Sequence, residues 1–344
     1  MTSTDANPAP REPRRAGRFA SALATAVQFL GKPPVRVALA ALFFLAAVYL
    51  IYLQVAEISW ADFVAALAST SALALLCSVG LTLCSYACLS ATEWVALAAL
   101  GHPLSYRDVA RVAIPSYALT NSAGFSPATG TLMRVRLYAP HGLSAATSAQ
   151  VAMLAGACVT LSGVVAGGAA LLARTAVYAQ LAHAPQPLVA LLGVVLLLPA
   201  LLWFIAFNQR APGWLRRAKS ADLGVRRRLL CLFAGFGDWI FSCAALFALF
   251  PHARWGVFPG FLGVYVAGSI LSAATGVPGG LGVFEALMLM LTAIVARAHE
   301  TAAALVLYRC LYSLGPLAIV GALWLLRRAR PNQAASASRQ QDRV

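Results

Sequence analysis

The chain alternates between long apolar runs and short intervals that are polar, arginine-rich or broken by glycine and proline. The runs are about 17 to 30 residues long, enough to cross a hydrocarbon core of roughly 30 Å as helices that satisfy their own backbone polar groups. Eight are read, at 37–55, 64–90, 144–173, 188–207, 228–250, 258–276, 281–297 and 301–326. A further apolar stretch, 108–124, is short and carries Arg111, Pro115 and Asn121, which predicts a re-entrant or broken helix. The expected fold class is an all-α integral membrane protein, with about eight transmembrane helices plus re-entrant or broken ones.

Composition agrees, since 60% of the 344 residues are hydrophobic and 11% charged, against roughly 25% charged in ordinary soluble domains. The net charge of +15 does not indicate nucleic acid, because the basic residues cluster between apolar runs. Arg11, Arg14, Arg15, Arg18, Lys32 and Arg36 precede the first; Arg210, Arg216, Arg217, Lys219, Arg226, Arg227 and Arg228 fill 208–228; Arg327, Arg328 and Arg330 follow the last. The positive-inside rule puts all three clusters and both termini in the cytoplasm, beside anionic lipid headgroups. The intervening loops agree: 57–62 is acidic and 175–187 has no formal charge. Residues 1–34 and 329–344 read as disordered cytoplasmic tails around a polytopic membrane domain, 35–328. The first apolar segment reads as a retained signal anchor in a multi-pass protein of the bacterial cytoplasmic membrane.

Little conventional catalytic or metal chemistry is visible. All seven cysteines fall in apolar segments without a CxxC pair, and the five histidines sit at segment ends without ligand spacing. Neither a phosphate-binding P-loop nor a GxSxG nucleophile elbow occurs. The expectation is a protein that uses no metal and no cofactor.

The informative residues are ionisable groups in or beside apolar runs, each costing about 2.5 to 3.5 kcal/mol at a helix centre on insertion scales. They are Glu93, Asp238, Glu285, Arg309 and the Arg134/Arg136 pair. Two breaks lie beside them: SAGFSPATGTLMR (Ser122 to Arg134) and SAATGVPGGLGVFE (Ser272 to Glu285). Each follows an apolar stretch and carries a charge seven residues after its proline, Arg134 after Pro127 and Glu285 after Pro278. Paired interruptions of this kind point to internal repeats, here an inverted one, around a midplane binding site. Asn121, Gly124, Pro127, Gly130, Pro278, Gly279, Gly280 and Gly282 form the broken-helix backbone of that site. Such breaks free backbone N–H groups for an anion and are tolerated only where buried or lining a wet cavity. Two readings of the charges stand: structural ion pairs between helices, or a polar path for a charged substrate.

Three stretches, YALTNSAGFSPATGTLMRVRLYAPHGLS (117–144), GDWIFSCAALFALFP (237–251) and PGGLGVFEALML with LYRCLYSLGPL (278–289 and 307–317), resemble the membrane flippase domain of the lysylphosphatidylglycerol synthetase/flippase family, also called multiple peptide resistance factor, and its stand-alone relatives. With the span pattern, the resemblance covers about 37–326. It implies movement of aminoacylated phosphatidylglycerol, or a related charged lipid, from inner to outer leaflet, a route to resistance against cationic peptides. It also implies that Asp238, Glu285 and Arg309 stand where the family places charges implicated in translocation, and that Arg134 and Arg136 match its R-x-R motif. Two-function members continue into an aminoacyl-transfer domain; this chain ends at Val344, so the expectation is a non-enzyme supplied by a separate lipid-modifying synthetase, with a homo-oligomer as its assembly. Stand-alone relatives also accompany hopanoid and glycolipid pathways, so the lipid itself stays open. In this reading Arg309 binds phosphate bidentately and Asp238 and Glu285 hold ammonium. A small-molecule or ion transporter and a non-transporting subunit of a lipid-synthesis complex are the alternatives.

Overall fold

The computed structural model describes residues 59–123, 126–209, 224–251, 254–275, 277, 282–292 and 296–329, with isolated positions at 45, 49 and 52. Among these residues the protein is all helical. In chain order the helices are α1 (Trp60–Ser69), α2 (Ala72–Ala99), α3 (Tyr106–Ala123), α4 (Ser126–Tyr138), α5 (Ala145–Ala173), α6 (Thr175–Leu181), α7 (Gln186–Gln209), α8 (Val225–Phe247), α9 (Phe258–Ala274), α10 (Val283–Thr292), α11 (Ala298–Tyr308) and α12 (Gly315–Ala329). A π-helical segment, Arg309–Leu314, joins α11 to α12 in one continuous last span.

Five helices among the described residues are long and apolar enough to cross a membrane: α2, α5, α8, α9 with the short turn before it, and the last span. A sixth arises if α6 and α7, bent by 114° at their junction, count as one. The described residues therefore confirm five or six spans, not the expected eight. The first expected span, 37–55, lies outside the described residues apart from Leu45, Tyr49 and Tyr52. Of the segment expected at 281–297, the described residues form the ten-residue α10, about 15 Å long at 1.5 Å per residue against a core of roughly 30 Å, while 293–295 lie outside them. Hydropathy measures the length of an apolar run, and a run can be spent on a short helix and a turn as readily as on one span. The run at 64–90 is likewise divided. Ser71 caps α2 by accepting from the Ala74 N–H at 3.2 Å, and α2 then continues past residue 90 to carry Glu93 inside the bundle.

Hydroxyl side chains line much of the inner face of α2, beside an otherwise apolar core. On α2 the residues facing the bundle include Ser78, Thr82, Ser85, Ser90 and Thr92, while Leu73, Leu76 and Leu83 face outward. With lipid outside, an apolar face gains nothing by turning inward, and helices associate through close approach and interhelical hydrogen bonds. Hydroxyls that lack a partner on another helix bond back one turn, as Thr82 does to the Ser78 carbonyl and Ser90 to that of Tyr86, both at 2.8 Å. At the α5–α8 contact a Cβ on Gly163 would lie 2.5 Å from the Trp239 ring, and one on Gly235 would lie 2.4 Å from the Ser162 hydroxyl. That proximity lets the Trp239 indole N–H reach the Val159 carbonyl at 2.8 Å.

α2 and α8 run antiparallel through the centre: Ser85 meets Asp238, and the Cys231 sulfur approaches the Thr92 carbonyl. Two hairpins flank them. In the first, α4 folds back along α3, so that Gly130 approaches Thr120 and Arg134 lies over the Tyr117 ring. In the second, α10 folds back along α9, with Gly268 beside Phe284 and Met288.

Candidate functional site

The first hairpin opens at the C-terminal end of α2, where Val109 and Tyr138 share a core with Leu97 and Leu100. Its tip reaches inward to the last span, and the Ser122 hydroxyl donates to the Ser313 carbonyl at 2.6 Å. The second hairpin opens at the opposite end, where Phe247 packs against Phe258 and Phe261. Its return arm also begins against the last span, through Glu285 and Arg309. Ser313 and Arg309 flank the midpoint of Ala298–Leu326. Two helix breaks entering from opposite ends thus converge on the π segment at mid-depth.

Local sequence explains the π segment. Pro316 has no N–H to give to the preceding turn. The Tyr312 carbonyl accepts from the Tyr86 hydroxyl at 3.1 Å, and the adjacent Ser313 carbonyl accepts from Ser122. Widened turns of this kind recur at functional sites. Asn121, one residue before Ser122, reaches the same Tyr86 hydroxyl.

Glu285 opens α10. Gly282, at φ +80°, occupies the left-handed region that glycine enters without penalty. Its N–H donates to Glu285 Oε2 at 2.8 Å, which caps the helix. The other oxygen, Oε1, accepts from Arg309 Nε at 2.6 Å, and the guanidinium lies over the Phe284 ring at 5.9 Å. The two side chains are 20% and 21% exposed, so this ion pair is half-buried.

Asp238 stands near the middle of α8 and is buried. Its Oδ1 accepts from the Ser85 hydroxyl at 2.5 Å, and Ser85 also pairs with the Tyr312 hydroxyl at 3.0 Å. Tyr312 stacks on Tyr308, whose hydroxyl pairs with that of Tyr265 at 2.7 Å. Asp238 and Arg309 therefore meet the same π segment from different sides, one through Ser85 and Tyr312, the other within the segment itself.

Glu93 and Arg134 form a separate group. Glu93 is eight residues beyond Ser85, about 12 Å along α2. Arg134 donates to Glu93 Oε2 from Nε at 2.9 Å and Nη2 at 2.8 Å, while the Tyr138 hydroxyl donates to Oε1 at 2.7 Å. With the Tyr117 ring 4.5 Å beneath the guanidinium, the pair is sealed and clamps the open end of the first hairpin to α2. Arg136 points away and is exposed. Gly130 belongs to this clamp: a Cβ there would lie 2.2 Å from the Thr120 hydroxyl and 3.0 Å from Arg134 Nη1. Pro127 falls in the first turn of α4, where its missing N–H costs little. Gly124, Pro278, Gly279 and Gly280 lie outside the described residues.

The hydroxyl partners Ser85, Tyr86, Ser122, Tyr138 and Tyr312 were not evident in the sequence, although Tyr308 and Tyr312 bracket Arg309 at helical spacing and Ser78, Thr82 and Ser85 share one face of α2. Arg228, read as a loop charge, is buried in the first turn of α8. At the end where the second hairpin opens, a cavity of about 470 Å³ lies between α6, the α8–α9 connection and α10, with Arg174, Arg254 and Glu300 as its charged lining.

Residues 35–336 match the family described as the lysylphosphatidylglycerol synthase transmembrane region. The chain belongs to that family. It is 28% identical over 290 residues to the inner membrane protein YbhN of Escherichia coli, covering 83% of this chain and 90% of that protein. It is 27% identical over 270 residues to a Synechocystis protein named uncharacterized protein slr0712, covering 75% of this chain and 82% of the relative. The match spans both hairpins and the π segment, and the protein is a multi-pass membrane member of this family.

Proposed function

We propose that the protein is a lipid flippase that carries a charged lipid, aminoacylated phosphatidylglycerol or a relative of it, from the inner to the outer leaflet of a bacterial cytoplasmic membrane, without itself catalysing aminoacyl transfer. The observation that carries this reading is the convergence of two oppositely opening helix breaks on a π segment that holds a half-buried ion pair. An aminoacyl lipid headgroup has a phosphate and one or two ammonium groups. Arg309 offers the fork that phosphate takes bidentately, and Glu285, once Arg309 turns to phosphate, offers a carboxylate to ammonium. Exchange of one ion pair for two keeps each charge partnered throughout, which matters where an unpaired charge is costly. The family's own description names a lysylphosphatidylglycerol synthase region, and that supports a lipid of this class. A separate synthetase supplies the substrate, and the arginine-rich segments sit against anionic headgroups.

The test is reconstitution in liposomes with no other protein, following labelled lysylphosphatidylglycerol, phosphatidylglycerol and a glycolipid by their accessibility to an external quencher. Protein-dependent movement of one of these, abolished by Arg309→Ala, is the expected result. Flux of a water-soluble solute with no lipid movement would place the protein among solute transporters, and neither activity would mark it as a non-transporting subunit. A lipid of net charge +1 moving outward works against about 2.3 kcal/mol per 100 mV of inside-negative potential, so the flippase needs a substrate gradient or a counter-ion.

A further inference from the structure

Asp238 differs in kind from the other two acids at the centre of the bundle. Glu93 lies against Arg134 and Glu285 against Arg309, whereas the hydrogen bond to Asp238 comes from a neutral hydroxyl, that of Ser85. The titratable groups that face it from the surrounding elements are Tyr86 and Cys88 of α2, Tyr117 of α3, Tyr265 of α9, and Tyr308 and Tyr312 of the last span. These are phenols and a thiol, not cations. With 6% of its surface exposed and no cation facing it among the described residues, an ionised carboxylate here has lost its water without gaining a counter-charge, which is costly.

The seal over Asp238 is also the irregular part of the fold. Ser85 bridges the carboxyl to the Tyr312 hydroxyl, and Tyr312 lies inside the π segment on which both helix breaks converge. Each residue of shift toward α-helical register would turn Tyr312 by about 100° and take its hydroxyl away from Ser85. From this geometry we propose that Asp238 is a proton-carrying site, loaded while Tyr312 and Ser85 cover it and unloaded when the π segment repacks. Unloading breaks the carboxyl O–H bond and passes the proton to water admitted from one end of the bundle; loading re-forms the bond with a proton from water at the other. Ser85 and Tyr312 act as positioning residues. The coupling rests on the flippase reading: one proton carried inward for each lipid of net charge +1 carried outward moves no net charge, so the membrane potential no longer opposes the exchange.

The experiment uses the full chain in liposomes of phosphatidylglycerol and phosphatidylethanolamine and has two arms. Infrared difference spectra across a pH step should contain the carbonyl stretch of a neutral carboxylic acid that disappears in Asp238→Asn and shifts in Ser85→Ala. Should the asparagine variant fail to fold, the serine variant, which keeps the carboxyl, supplies the assignment. In the second arm, movement of a fluorescent lysylphosphatidylglycerol should accelerate severalfold when a proton gradient is imposed against the direction of lipid movement, and Asp238→Asn should lose that response. Absence of a titrating band assignable to Asp238 overturns the proposal, as does lipid movement that ignores the gradient in the unaltered protein. A titrating Asp238 band with no lipid movement under any gradient upholds the proton site and removes the flippase reading instead.

Discussion

Two ion pairs of the same chemical type sit in this bundle with opposite energetics. The Glu93 and Arg134 side chains are 0% and 5% exposed, with both Glu93 oxygens held by Arg134 and Tyr138. Removing one partner strands the other without water. Arg134→Ala is therefore expected to lower stability by about 3 to 5 kcal/mol, read as a fall in the thermal midpoint of the detergent-solubilised protein. The double variant Glu93→Gln with Arg134→Met should recover most of that loss. Arg309→Ala is expected to cost less, about 1 to 3 kcal/mol, because its pair with Glu285 is one-fifth exposed and the carboxylate keeps the Gly282 N–H as a partner. A stability loss for Arg309→Ala as large as that for Arg134→Ala would move this pair from the substrate path to the structural framework.

The π segment shows how one proline reorganises a helix without ending it. Pro316 withdraws an N–H from the turn before it, and two hydroxyls from other helices, Tyr86 and Ser122, occupy the carbonyls of Tyr312 and Ser313. Those bonds tie the hairpin tip and α2 to the last span. Pro316→Ala restores the missing donor and favours regular α-helix, with a gain of up to about 3 kcal/mol in intrinsic propensity, while each residue of register shift turns Tyr312 by about 100°. The expected outcome is a protein at least as stable to heating but inactive in lipid movement. Full activity in this variant would show that the widened turn is incidental to transport.

The ends of the bundle carry different charge. Arg226, Arg227 and Arg228 begin α8, and α8 begins at the end where Glu93 and the mouth of the first hairpin lie, since Cys231 approaches Thr92. The last span starts beside the opposite cavity, at Glu300, and therefore delivers Arg327 and Arg328 to the same end as α8. The positive-inside rule predicts that this end is cytoplasmic, with the first hairpin opening to the cytoplasm and the second to the outside. A cysteine at Gln186 is then expected to react with an impermeant maleimide in intact cells, and one at Ser105 only after permeabilisation, in a background without exposed native cysteines. The reverse pattern would invert the direction of transport.

Sequence alone determined that this chain is an all-helical membrane protein, because apolar length and the placement of arginine are properties of contiguous residues. The helices 145–173 and 186–209 emerge within two residues of their expected bounds for the same reason. It also singled out Asp238, Glu285 and Arg309, since an ionisable group inside an apolar run is conspicuous whatever it touches. What it left open was the use of each charge, because partners come from distant parts of the chain: Ser85 is 153 residues from Asp238, and Ser122 is 191 from Ser313. Only tertiary structure decided that Glu93 closes a sealed clamp, that Glu285 caps its own helix while pairing with Arg309, and that the described part of α10 is a short helix. Hydropathy cannot separate these outcomes, because a short helix facing protein and a full span facing lipid share one composition and differ only in what packs around them.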